Sequence, residues 1–480
     1  MLSTIIKKEI LENILSFRFP LFLLICVTLI PLGIYVNNLD YAKRVRDYNE
    51  QVRLSNEALH KLQVGDIMSG TVSLKGFRPP SLLSIFAQGF ENALPLFYDF
   101  KFDGYKQGET SIGDESILSV FGKLDFAFII QMVVSLIVLL FASDMISGEK
   151  ESGTLRGIFS NRVPRDSLLL GKIAGGYLTM WIVFVIAFLI GLLALIAASF
   201  PFFQDDIPAR IFYVFLWTSV FLLAYFTIGI MVSTSSDKTR TSLVIILLIW
   251  AFFQLIVPKV SDMTASVIHP VRTETEVSLE KSLITNSLND EQAKELGRQF
   301  VATFGANTPP PGRPEQSPEQ DKWEKMKKEI QQRYGEQKAE RLNQIDQAFQ
   351  REKKTQQSIA SNLSLISPSA AFSRLITDLC QTGEVEKTKY LESVKAHQQV
   401  LDANLFSKVK RELMELPNGQ MRMTFGIDPV DFKSLPEFSV NHASITEAFK
   451  ANWTSIVSLI FWLIAPFAVA YVRFLRYDVR

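Results

Sequence analysis

The stretch LDFAFIIQMVVSLIVLLFAS, residues 124–143, decides the fold class. Beyond Asp125 at its edge, its polar side chains are Gln131, Ser135 and Ser143. A bilayer core of roughly 30 Å needs about 20 apolar residues in a helix, and this run supplies them. With no water to pair its amides, such a segment crosses lipid as a helix. Apolar residues also concentrate at 20–36, 173–199, 211–232, 243–257 and 453–471. Pro31 interrupts the first of these, which membrane helices tolerate when neighbours satisfy the freed carbonyl. Asn37-Asn38-Leu39-Asp40 is a poor small-residue cleavage site, so this run reads as a span and not as a removable signal. The expectation is an all-α membrane protein with a six-helix transmembrane bundle.

Composition narrows the function classes. Formal net charge is +1, so no global charge points to nucleic acid. Cys26 lies in an apolar run and Cys380 in a polar one, which supports neither a disulfide framework nor a cysteine zinc site. His60, His269, His397 and His442 lie far apart and share no helical spacing, so no metal is expected. Met421-Arg422-Met423 reads as packing, not as a copper box.

Basic residues orient the spans. Lys7, Lys8 and Arg18 precede the first span, Lys150, Arg156, Arg162, Arg165 and Lys172 follow the second, Lys238 and Arg240 follow the fourth, and Arg473, Arg476 and Arg480 follow the last. All four groups fall on one side when six spans alternate, and Pro201–Arg210 on the other side carries Asp205 and Asp206. Both termini are therefore expected in the cytoplasm. The chain divides into 1–37 (amphipathic helix and first span), an outward segment 38–123, spans two to five at 124–258, a mainly helical outward domain 259–452, and the last span with its tail at 453–480. Within the outward domain 272–305, 319–360 and 391–414 are rich in good helix formers. Pro368 marks a helix start, and Thr308–Pro314 reads as an extended turn. Pro79-Pro80 and 104–113 read as loop or short strand.

No GxxxxGK[ST], GxSxG or GxGxxG pattern occurs, so the chain carries no phosphate loop of its own. Chemistry concentrates in the loop 144–172, DMISGEKESGTLR continuing to Val163-Pro164-Arg165 and Leu170-Gly171-Lys172. It is short, charged and punctuated by glycines that permit sharp turns. Leu155, Ile158 and Phe159 can form an apolar ridge there. Residues 2–14 place Leu2, Ile5, Ile6, Ile10 and Ile14 on one side and Lys7, Lys8 and Glu12 on the other, at helical spacing.

The run Glu149-x-Glu151-x-Gly153-Thr154-Leu155, followed by Arg165 and by Leu170-Gly171-Lys172, resembles the signature of type-2 ABC exporter permeases. The closing Phe474-Leu475-Arg476-Tyr477-Asp478-Val479-Arg480 and Ile366-Ser367-Pro368-Ser369-Ala370 are similar to a branch with large outward loops, described as permeases of multicopper-enzyme maturation systems. The resemblance covers the membrane part and is weak across 38–120 and 272–350. It implies the permease subunit of an ATP-binding-cassette transporter in a bacterial inner membrane. It also implies a separate cytoplasmic ATPase subunit that binds the ATP, and a second permease copy or homologue. The loop 144–172 would hold the coupling helix, with Glu149, Glu151, Gly153, Thr154, Leu155, Arg156 and Arg165 as ATPase-coupling residues. Ile5, Ile6, Lys7, Lys8 and Ile10 would form an interfacial elbow helix. A plain cytoplasmic extension of the first span would account for the same N-terminal pattern. A loop held by anionic lipid would account for the same basic residues. The rival function is a membrane scaffold or sensor with an outward binding domain and no transport. A periplasmic protein is a further candidate partner, and neither reading involves nucleic acid. An ion-coupled carrier is disfavoured, because Gln131 and Gln254 are the main polar interruptions of spans that otherwise lack ionisable groups.

The orientation is testable with single cysteines in a background lacking Cys26 and Cys380. Glu319→Cys should react with an impermeant maleimide in intact cells and Ser160→Cys should not; the reverse pattern would overturn the topology.

Overall fold

The computed structural model describes residues 2–59, 74–101, 104–108, 124–160, 163–305, 318–404, 409–415, 421–427 and 436–477. Among the described residues six helices are long and apolar enough to cross a membrane: Arg18–Ala58, Phe126–Ser152, Arg165–Ala197, Ile207–Ser235, Thr239–Ile268 and Trp453–Leu475. The protein is an all-α membrane protein, with two small sheets among the described residues. Contacts divide it into two compact units, Met1–Ile256 with Leu365–Arg480, and Val257–Ser364.

In the larger unit α1 (Leu2–Leu15) precedes α2 (Arg18–Leu59), a helix that runs on through Pro31. Its charged second half lies beyond the apolar run. Arg44 there meets Glu91 at 2.9 Å, and Glu91 also takes Arg78 at 2.7 Å. Glu91 further accepts from the Ser81 amide at 3.0 Å, so its buried carboxylate is paired as burial demands. β1 (Leu74–Phe77), β2 (Phe97–Lys101) and β3 (Gly104–Gln107) form an antiparallel sheet.

Helix α3 starts at the Asp125 cap, whose carboxylate accepts from the Phe128 amide at 2.7 Å. It comprises Phe126–Phe128, a π-turn Ile129–Val134, and Ser135–Ala142. Two short helices follow, α4 (Ser147–Ser152) and α5 (Thr154–Ser160). Then come α6 (Arg165–Ala197), α7 (Ile207–Ser235) and α8 (Thr239–Ala251), which ends in a second π-turn, Phe252–Ile256. After the smaller unit the chain returns as α12 (Pro368–Leu379), which begins at Pro368 with Ser367 capping it, and α13 (Glu384–Asn404). Its remaining helices are α14 (Ile445–Ala451) and α15 (Trp453–Leu475).

One expected helix is corrected. Residues 391–414 do not form one helix: α13 ends at Asn404, and β4 (Val409–Glu415) pairs with β5 (Met421–Ile427) as an antiparallel hairpin. The antiparallel ladder from Val409↔Ile427 to Glu415↔Met421 pairs the backbone amides of both segments and so holds the first one extended. The Thr308–Pro314 turn lies outside the described residues.

At the α12 end of the bundle, Arg210 is fully buried. It pairs with Asp206 at 2.8 Å and donates to the carbonyls of Leu379 (3.0 Å) and Ala443 (2.5 Å). These bonds satisfy the end of α12 and fix the segment that leads into α14. The Glu386 carboxylate, 2.6 Å from His442, holds that imidazole above its usual pKa. Leu74, Tyr98 and Phe100 of the sheet pack with Tyr390, Val394 and Leu401 of α13.

The smaller unit comprises α9 (Val257–Ile268), α10 (Glu274–Phe304) and α11 (Pro318–Ser364). Its helices α10 and α11 are antiparallel, since Lys353 meets Glu274, Lys281 meets Asp346 and Arg333 meets Glu295. Val277, Ile345 and Phe349 supply a thin core between them. Thr273 and Glu276 close a capping box at the start of α10.

Candidate coupling site

The loop between α3 and α6 is two short helices joined at a left-handed glycine. Gly153 has φ 74°, and its amide donates to the Lys150 carbonyl at 3.2 Å. Any side chain there would pay the left-handed penalty, so the glycine of the motif is a helix stop. Thr154 opens α5 immediately after it.

The consecutive charges Glu149, Lys150 and Glu151 each address a different helix. Glu149 lies 2.7 Å from Lys172 of α6, and the same ammonium lies 2.6 Å from Glu9 of α1. Lys150 donates to the carbonyls of Thr234 (2.5 Å) and Ser236 (3.2 Å), at the C-terminal end of α7, where a cation is favoured by the helix dipole. The ammonium also sits 4.9 Å from the Tyr477 ring centre. Glu151 accepts from the Thr239 amide at 2.9 Å, placing a carboxylate at the N-terminus of α8. Three adjacent residues therefore hold the loop to α6, α7 and α8.

Arg165 completes the set on α15. It donates to the carbonyls of Leu475 (2.5 Å) and Tyr477 (3.0 Å), and its guanidinium lies over Phe159, which in turn packs on Phe474. Arg18 pairs with Asp144 at 2.6 Å, bringing in the start of α2. Ser233 accepts from the amides of Ile146 and Ser147, at 3.1 and 3.0 Å, and Ser242 donates to the Ser143 carbonyl at 2.6 Å.

The expected apolar ridge needs correction at its centre. Leu155 is 0% exposed within the chain, so it anchors α5 inward and offers nothing outward. Glu149 is likewise turned to Lys172 inside the chain. The outward face consists of Glu151, Ser152, Gly153, Thr154, Arg156, Gly157 and Ser160, with Ile158 and Phe159 half-buried. Asn161 and Arg162 lie outside the described residues.

Helix α1 packs along α6 through half-buried Ile5, Ile6 and Ile10, while Lys7 and Lys8 are exposed. The close approach depends on small residues: a Cβ on Gly171 would come within 2.6 Å of Ile5, and one on Gly175 within 2.7 Å of Glu9. Leu11, Leu15 and Phe17 stay 59%, 77% and 86% exposed, an apolar edge suited to lipid.

Sequence reasoning missed Glu9 and gave Lys172 no role beyond its motif. The available signal was a lysine directly at the edge of an apolar run, together with a glutamate on the isoleucine side of α1. A charge in either place needs a partner.

The family model described as ABC-2 family transporter protein matches residues 3–479. The chain belongs to the ABC-2 transporter family. A comparison with curated proteins found no match. As an ABC-2 permease it is a multi-pass membrane component of an ABC transporter, a class that works with a cytoplasmic ATPase.

The geometry separates internal from outward residues. Leu155→Ala should destabilise the purified permease itself by about 2–5 kcal/mol, the usual range for a fully buried leucine. Arg156→Ala, on the exposed outward face, should cost less than that, about 1 kcal/mol at most. Heating each variant in detergent and following its monodisperse fraction tests this; an unchanged Leu155→Ala would contradict the burial assignment.

Proposed function

We propose that this ABC-2 permease is driven by a separate ATPase subunit that docks on the outward face of α4 and α5. The reading rests on one observation: that face is polar and exposed, while Glu149, Lys150 and Arg165 behind it, with Glu151 at its edge, hold the loop to α6, α7, α15 and α8. A body pressing on the loop would therefore move four spans together. Loosely tethered loops absorb such a push, whereas one tied to four helix termini transmits it.

In this reading both termini are cytoplasmic, the membrane is the bacterial inner membrane, and two permeases pair. ATP binding draws the ATPase subunits together, the loops follow, and the bundles rock between inward- and outward-facing states. The segments 38–123 and 259–452 face outward, where a periplasmic protein is a candidate partner. Spans poor in ionisable groups favour an apolar or amphipathic cargo, or mechanical work on such a partner. The ATPase contacts fall to Glu151, Thr154, Arg156, Gly157 and Ser160, while Glu149, Leu155 and Arg165 act by holding the loop.

The test is affinity purification from the native host in mild detergent, with identification of the co-purifying ATPase. Gly157→Trp together with Arg156→Glu places bulk and reversed charge on the outward face and leaves the internal contacts of Glu149, Lys150 and Leu155 alone. Recovery of the ATPase should fall about tenfold or more, the consequence of losing a central interface contact, with the amount of folded permease unchanged. Undiminished recovery would place the ATPase elsewhere.

A further inference from the structure

The two glutamines that interrupt the apolar spans lie on the two π-turns and face each other. In the first π-turn the Ser135 amide donates to the Ile130 carbonyl, five residues back, and not to that of Gln131. Gln131 thus loses the backbone donor that a regular helix would give its carbonyl. Two side chains replace it: the Ser135 hydroxyl, and Gln254 Nε2 at 2.7 Å from the second π-turn. Trp250 Nε1 donates to the Ser135 hydroxyl at 3.1 Å, one turn along α8. In the second π-turn the Phe253 carbonyl accepts from Ser367 at 2.9 Å.

Ser367 also caps α12, accepting from the Ser369 and Ala370 amides. Gln131 Nε2 donates to the Ser369 carbonyl at 3.2 Å, and the Tyr225 and Ser369 hydroxyls are hydrogen-bonded. The start of α12 therefore bridges both π-turns. The bonds to the Gln131 and Phe253 carbonyls compensate irregular backbone inside the bundle, the condition for tolerating it in a membrane.

We propose that the paired π-turns form a register switch. Each span can absorb the extra residue of its turn into α-helical register, the second with the Gln254 carbonyl left without a backbone donor because Pro258 has no amide, and the Gln254 side chain ties the two events together. Absorbing one residue rotates the rest of the span by roughly 100° and shifts it by about 1.5 Å. Both spans lead straight to the coupling loop: α3 ends beside Asp144, and α8 begins at Thr239, whose amide Glu151 accepts. A register change in the bundle is thus felt at the loop. The inference goes beyond the docking proposal and depends on no partner, so either can fail alone.

Trp250 is a built-in reporter. The protein is labelled with 5-fluorotryptophan in lipid nanodiscs, and the Trp250 signal among the six tryptophans is assigned with Trp250→Phe. The wild-type signal should show two states, as separate lines or as exchange broadening on the microsecond-to-millisecond scale. Gln254→Leu removes the donor to Gln131 and should change the ratio of the states at least threefold, leaving the Trp323 signal of α11 in place as the control for folding. Deleting Met132 removes the extra residue of the first turn and should leave one state. A single sharp Trp250 line in the wild type that stays single and unshifted in Gln254→Leu would overturn the proposal, whether or not the deletion variant folds.

Discussion

The Lys172 ammonium is 3% exposed and stands between Glu9, itself 7% exposed, and Glu149. Each charge, taken alone from water, would cost several kcal/mol, and the geometry repays this only while all are present. The three residues come from α1, from α6 and from the loop. Breaking any contact strands a charge at the membrane edge, so α1 and the loop cannot leave α6 independently. Two carboxylates share the one ammonium, and Glu149 Oε2 is buried without a hydrogen-bond partner among the described residues. The rest of the loop inherits its position from here: Lys150 and Glu151 can reach α7 and α8 because Glu149 fixes the helix that carries them.

The same device recurs across the molecule. Glu91 between Arg44 and Arg78, and Arg210 among Asp206 and two carbonyls, are buried charges joining segments far apart in sequence. In a bundle whose outer surface meets lipid, apolar contact alone discriminates poorly between helix neighbours. Paired charges and hydrogen bonds supply that discrimination.

The sequence pattern was legible where the physics is local. Residues 124–143 announce a span because a long apolar run in lipid has one solution, and Pro368 announces a helix start because its fixed φ and missing amide suit a first turn. The loop was legible as a site through Glu149-x-Glu151-x-Gly153. What each charge does was not, because that depends on which helix ends converge there. Leu155 looked like an outward ridge since exposure is a tertiary property, and a leucine beside charges reads the same facing in or out. The helix-rich composition up to Met414 hid β4, whose strand state is set by pairing with β5. Nothing local marked the π-turns, although Gln131 and Gln254 were visible as exceptions, and their meaning appears only when two spans are side by side.

The central claim is that one buried cation joins α1, the loop and α6. Thermal stability in nanodiscs of Lys172→Met, of Glu9→Gln with Glu149→Gln, and of the triple variant measures it most directly. Lys172→Met alone should lose about 3–5 kcal/mol by stranding two carboxylates, and the triple variant, which removes every charge of the cluster, should recover most of that loss. A Lys172→Met protein within about 0.5 kcal/mol of wild type, or a triple variant no more stable than Lys172→Met, would contradict the account.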